Sequence, residues 1–99
     1  MIYTVDIYNT YHDCVGMARR PRNIALCEAF GDRLRMVRSE AGLSQEELAH
    51  VADLDRSYVG HIERGAINPT LDTIMRLAAA VDEDPGVLVN GLLGTSSSR

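Results

Sequence analysis

Residues 43 to 65, LSQEELAHVADLDRSYVGHIERG, constrain this chain more than any other stretch. Ser44 and Glu47 stand three apart, as in a capping box, where each side chain satisfies an amide donor that the opening helical turn leaves without a partner. Leu48, Ala49 and Ala52 then fall on one face of a short helix. Periodicity breaks around 53–55 and resumes at Val59 and Ile62, with Asp55 a good N-cap for a second helix and Gly65 its stop signal. Two helices of about eight residues joined by three or four have the spacing of a helix-turn-helix.

The side chains agree with that geometry. Small or apolar residues follow Gln45 at Leu48, Ala49, Ala52, Leu54, Val59 and Ile62. Ala49 has to be small, because the second helix crosses there and a larger side chain would push the two axes apart. Arg56, Ser57, Gly60, His61 and Arg64 remain on the outer side of the second helix, all polar or small. Such a face beside a rigid crossing helix suits insertion into the major groove of DNA.

With GLSQEELA, DRSYVGHIERG, INPTLDTIMRLAAAV and the closing DPGVLV, residues 30 to 89 resemble the DNA-binding domain of the lambdoid phage repressor (Xre-type) family. The resemblance implies an all-α fold, a compact five-helix bundle, here with an N-terminal extension. Within that family, the small size and RSYVGHIERG are similar to the controller proteins of restriction-modification systems. The implied function is a sequence-specific, DNA-binding transcriptional regulator that holds a palindromic operator as a homodimer and needs no cofactor. An antitoxin or another protein-interaction module on the same fold is the alternative, because the difference between these roles lies in neighbouring genes.

The same resemblance assigns the reading surface. Arg56 and Ser57 take the places that read base edges, with His61 one turn further on. An arginine can bind O6 and N7 of guanine through two parallel bonds, worth ~1–3 kcal/mol of discrimination. Gln45 is expected to meet phosphate through its amide and the helix N-terminus. Tyr58 is expected at a phosphate or a thymine methyl group. Arg64 and Asn68 flank the groove and fix register, not sequence. Arg38 matches an arginine that, in the family, pairs with the glutamate two before the glycine closing the reading helix, here Glu63. That pair would tie the first helix to the third and give a buried carboxylate its partner.

Two departures from the family pattern stand out. The turn position usually held by glycine is Asp53, a residue that tolerates left-handed geometry better than most. After Gly65, many controller proteins carry a charged pair where this chain has Ala66 and Ile67, which removes one candidate base reader.

Charge needs resolving along the chain. The net charge is −4, with ten arginines and no lysine. Residues 17 to 40 carry six arginines against three carboxylates, whereas residues 41 to 99 carry four against nine. Weak nonspecific DNA binding follows from the total, while a local basic cluster can still meet phosphate. Cys14 and Cys27 match no metal-ligand spacing and are too few for a disulfide framework. No stretch approaches the ~20 apolar residues of a membrane span, and the N-terminus lacks the order of a signal peptide. A cytoplasmic protein with reduced thiols, no metal and no membrane partner is expected. An enzyme reading finds no support, since Cys27, His50 and His61 fall on different helices without an orienting carboxylate, and no glycine-rich phosphate loop occurs.

The flanks divide as an extension and basic arm over 1–23, the DNA-binding domain over 24–93 and a tail, GTSSSR, disordered by composition, over 94–99. Residues 2 to 8, IYTVDIY, favour a strand, which has to pair with a dimer mate, pack on the bundle or stay loosely ordered. Met17 reads as an alternative start. The first helix is expected from about Ile24 to Glu40, burying Leu26, Phe30, Leu34 and Val37. Thr70 caps a helix over roughly Leu71 to Val81, with Ile74, Leu77, Ala78 and Val81 inward, and Asp84 with Pro85 opens a last one. Val87, Leu88, Leu92 and Leu93 form a cluster too apolar for a free helix end; some of it is core, and the excess implies a two-fold dimer contact.

Arg19, Arg20 and Arg22 in ARRPRN either lie along phosphates or in a minor groove, or form a solvated linker. If they neutralise phosphates, replacing all three with alanine lowers the salt slope of log K by up to ~2.7, at ~0.9 per contact. Titration of operator binding against salt measures this, and an unchanged slope with unchanged affinity makes the arm a linker.

Overall fold

The structure is a computed structural model that describes residues 22–93. The expected strand at 2–8, the arm residues Arg19 and Arg20 and the tail at 94–99 lie outside the described residues.

Five helices form in the described part: α1 Ile24–Glu40, α2 Gln45–Ala52, α3 Arg56–Glu63, α4 Leu71–Ala80 and α5 Pro85–Val89. Their ends are set by local chemistry. Asn23 caps α1 by accepting from the Leu26 N–H at 2.9 Å. The capping box of α2 closes in both directions, Glu47 N–H to Ser44 Oγ at 3.0 Å and Ser44 N–H to Glu47 Oε1 at 2.8 Å. Thr70 caps α4 through the Thr73 N–H at 3.1 Å. Asp55 occupies the N-cap of α3 without a side-chain bond to the helix amides; its carboxylate accepts the Ser57 hydroxyl at 2.9 Å instead.

The turn between α2 and α3 forms without glycine. Asp53 sits at φ 60°, ψ 47°, and the amides of Asp53 and Leu54 return to the His50 and Ala49 carbonyls. That is the Schellman closure that normally recruits glycine. Gly65, at φ 75°, closes α3 in the same way, with Ala66 N–H bonding to His61 O.

α1 packs on α3 and α5, α2 packs on α3 and α4, and α4 packs on α5. Leu34, Leu48, Val59, Ile62, Leu77 and Leu88 meet at the centre with no exposed surface. Burying each of these side chains contributes ~1.5–3 kcal/mol. Ala49 is buried where α2 meets α3, and Leu54 and Tyr58 pack on the edge of the core. On α1 the buried stripe runs through Cys27, Phe30, Leu34 and Val37, while Leu26 is only half-buried. Burial pushes the Cys27 thiol above its ordinary pKa, with Arg22 opposing and Glu28 adding to the shift. Val81 ends α4 as its cap and still enters the core.

One expected dimer residue needs correcting. Leu88 is 0% exposed, because α5 lies against both α1 and α4 and its central side chain faces the bundle. Leu92 is half-buried against the same core. Val87, Val89 and Leu93 are the apolar residues that this end leaves on the surface. Arg33 fixes their placement by donating from α1 to the carbonyls of Val87 (2.7 Å) and Asn90 (2.9 Å). No helix among the described residues is long and apolar enough to cross a membrane.

Gly31 marks the tightest approach. A Cβ there would stand 2.5 Å from the carbonyl oxygens of both Ile62 and Glu63. Those atoms are backbone and cannot rotate away, so Gly31→Ala has to push α1 off the end of α3. We expect it to lower unfolding free energy by ~1–3 kcal/mol, in the range of overpacked cores, despite alanine's better helix propensity. Urea denaturation followed by circular dichroism checks this; a stabilised variant would contradict the helix approach described.

Candidate nucleic-acid interface

The site is built outward from one buried carboxylate. Glu63, the last residue of α3, is 2% exposed. Arg38 of α1 meets it with two bonds, Nε to Oε2 at 2.6 Å and Nη2 to Oε1 at 3.0 Å. Gln45, the first residue of α2, donates its amide to the same Oε1 at 2.9 Å. Arg35 donates to the Glu63 main-chain oxygen at 2.8 Å and so places positive charge at the C-terminal end of the α3 dipole. Arg38 also reaches the Leu43 carbonyl at 2.9 Å, next to the start of α2. Its bonds to Glu63 raise the Arg38 pKa further above the usual range, against the opposing effect of burial, so the guanidinium keeps its charge. One side chain therefore joins α1, α2 and α3.

The opposite side of α3 is open. Arg56, Ser57, His61 and Arg64 are exposed, and Asn68 is exposed in the loop that follows. The Arg56 side chain, at the first turn, forms no hydrogen bond or ion pair among the described residues. Ser57 is tied to Asp55 through its hydroxyl. His61 and Arg64 are joined, with Arg64 Nη2 2.6 Å from His61 Nδ1. Gly60 is buried, and a Cβ there would lie 3.4 Å from Arg64 Nη1 and 3.9 Å from Gln45 Oε1.

Other expected site residues sit differently. Tyr58 is half-buried against the core with its hydroxyl 3.4 Å from Thr73 Oγ1. The Gln45 amide is turned toward Glu63 and reaches solvent only in part. Arg22 is exposed but donates to the Ala66 carbonyl at 2.7 Å, which lays the end of the arm against the loop after α3. Sequence reasoning missed Arg35, Arg33 and the Gln45–Glu63 bond. The only available signal was the cluster of arginines at 33, 35 and 38 on α1, which reads equally well as a phosphate-facing patch. Among the described residues, no group of three His, Cys, Asp or Glu side chains is placed to hold a metal ion.

A family model described as a helix-turn-helix domain matches residues 29–90. The chain belongs to that family. Helix-turn-helix regulators bind DNA, and this chain is one of them. It is 40% identical over 62 residues to the control protein C.BamHI of Bacillus amyloliquefaciens, covering 62% of this chain and 76% of the relative. An immunity repressor of Bacillus phage phi105 is 39% identical over 64 residues, which span 65% of this chain but 42% of the repressor. The restriction-modification controller protein C.AhdI from Aeromonas hydrophila superposes with a TM-score of 0.62 at 52% identity, covering 63% of this chain and 94% of that one.

Glu63 has four donors around it, and they are not equivalent. Arg38→Ala leaves a buried carboxylate without its main counter-charge, for which we expect a loss of ~3 kcal/mol. Gln45→Ala removes one bond to a group still paired with Arg38, with an expected loss of ~1 kcal/mol. Denaturant unfolding of both helix-turn-helix variants measures the order; equal losses would show that Arg38 is not the dominant partner.

Proposed function

We propose that this helix-turn-helix protein is a cytoplasmic transcriptional regulator that binds a palindromic operator as a homodimer and controls a restriction-modification operon. The observation that carries the reading is the geometry of α3: one face sealed into the bundle by Val59, Ile62 and Glu63, the other presenting Arg56, Ser57 and His61. The likeness to C.AhdI and C.BamHI supports the choice of operon.

In this reading α3 enters the major groove N-terminus first. Arg56 binds a guanine edge bidentately, and Ser57 and His61 contact neighbouring edges. Gln45 brings the N-terminus of α2 to a phosphate, its side chain oriented by Glu63. Tyr58, Arg64, Asn68 and the arm arginines Arg19, Arg20 and Arg22 line the backbone on either side. Val87 and Leu93, joined by Val89, form the two-fold contact, with Leu88 and Leu92 supporting it from within. Half-sites then lie about 34 Å apart, one turn of B-DNA.

Operator footprinting with the parent and two variants tests the assignment. Arg56→Ala is expected to lose ~1–3 kcal/mol on the native upstream region and to relax preference at one base position. Gln45→Ala is expected to weaken all sequences alike. If both variants bind native and random DNA as the parent does, α3 is not a reading helix and the chain is a protein-interaction module. Sedimentation of the protein on operator DNA should give two chains per site; a single chain at every concentration removes the dimer.

A further inference from the structure

We propose that Arg64 fixes the tautomer of His61 and so makes His61 a hydrogen-bond donor in the major groove, one that selects an acceptor edge and rejects cytosine. The inference rests on the reading of α3 as the groove helix and adds to it a chemical rule for one base position.

The argument starts from the 2.6 Å contact between Arg64 Nη2 and His61 Nδ1. A guanidinium carries only donors. Nδ1 must therefore be the acceptor, and in the neutral ring the proton is on Nε2. The two residues are three apart at the end of α3, so they lie on the same helix face. Gly60, four residues before Arg64, is buried beside the guanidinium, where a Cβ would lie 3.4 Å from Arg64 Nη1. His61 itself is exposed, and Nε2 lies on the ring edge away from Nδ1.

Tautomer decides what such a ring can read. A neutral imidazole in water exchanges between two forms, and its outer nitrogen is then a donor in one and an acceptor in the other. With Nδ1 held by Arg64, Nε2 is a donor only. In the major groove, guanine offers N7 and O6, adenine N7 and thymine O4 as acceptors, whereas cytosine offers its N4 amino donor. A locked His61 facing cytosine sets donor against donor. Arg64 is thus a positioning residue for base choice, beyond any contact it makes with phosphate.

Nitrogen-detected NMR of His61 in the free protein, read on the neutral ring, tests the lock directly. The parent should show Nδ1 as a bare nitrogen and Nε2 as an N–H. Arg64→Ala should drift toward a tautomer mixture, and Arg64→Lys, which still donates, should hold the parent state. Identical spectra for parent and Arg64→Ala overturn the proposal. On DNA, selection from operators randomised under α3 supplies the second readout. Arg64→Ala should reduce the penalty against cytosine at one position by about fivefold, the scale of one hydrogen bond. In a His61→Ala background the same substitution should leave base preference untouched, which is the coupling expected of residues acting as a pair. Uniform weakening on all sequences with preference intact would make Arg64 a phosphate contact alone and overturn the proposal. If parent and His61→Ala bind every sequence alike, the groove reading falls and this rule with it, while the spectra still report whether Arg64 fixes the ring.

Discussion

The Glu63 carboxylate is the constraint on which the rest of this structure depends. A buried, ionised side chain is costly unless its oxygens are fully met. Here they are met by Arg38 from α1 and Gln45 from α2, with Arg35 on the adjoining carbonyl. Each partner comes from a different place along the chain, so the arrangement exists only when three helices are correctly docked. Apolar packing alone would allow α3 to slide or rotate by small amounts at little cost. Directional bonds to one carboxylate do not allow this, and the rotation of α3 decides which side chains face outward. The close approach at Gly31 works toward the same end, since it seats α1 directly on the last carbonyls of α3.

Much of this was legible in the sequence because the signals were local. Ser44 with Glu47, Thr70, Asp84 with Pro85 and Gly65 each act within a few residues of themselves: α2, α4 and α5 start at the first three, and α3 closes at Gly65. Asp53 shows the same rule under strain: its left-handed conformation is held by the return of two amides to α2, and a residue other than glycine can occupy it. Leu88 was misread for the opposite reason. Its hydrophobicity is plain, but whether an apolar residue on a five-residue helix faces the core or a partner depends on how α5 docks between α1 and α4. Periodicity over so short a segment carries no answer to that.

The arginines of α1 are the clearest case of information that sequence cannot carry. Residues 17 to 40 read as a basic patch suited to phosphate. Among the described residues, the four arginines of that segment all donate to protein acceptors: Arg22 to Ala66, Arg33 to the end of α5, Arg35 to Asp32 and Glu63, Arg38 to Glu63 and Leu43. Charge counts cannot distinguish a guanidinium aimed at DNA from one that ties a helix terminus, because both uses exploit the same planar fork of donors.

That allocation bears on how an acidic chain holds DNA. Nonspecific affinity scales with the number of phosphates neutralised. With all three α1 arginines engaged internally, the described domain offers few charges for the backbone beyond Arg64 and the N-terminal ends of α2 and α3. Nonspecific binding is then weak, and in the proposed complex the free energy of operator binding would rest on base edges and on helix-end amides placed by the Glu63 network. A single domain of this kind reads only a few base pairs, and the proposed homodimer would supply two of them in fixed register. The Arg33 clamp gains its importance here: by fixing the end of α5, it fixes where Val87, Val89 and Leu93 stand relative to α3. In a two-fold dimer built on that end, an error in α5 would appear at the DNA as an error in half-site spacing. The orientation of α3 and the position of the α5 end, the two features that the proposed dimer would use on DNA, are therefore both set by arginines of the same helix, α1.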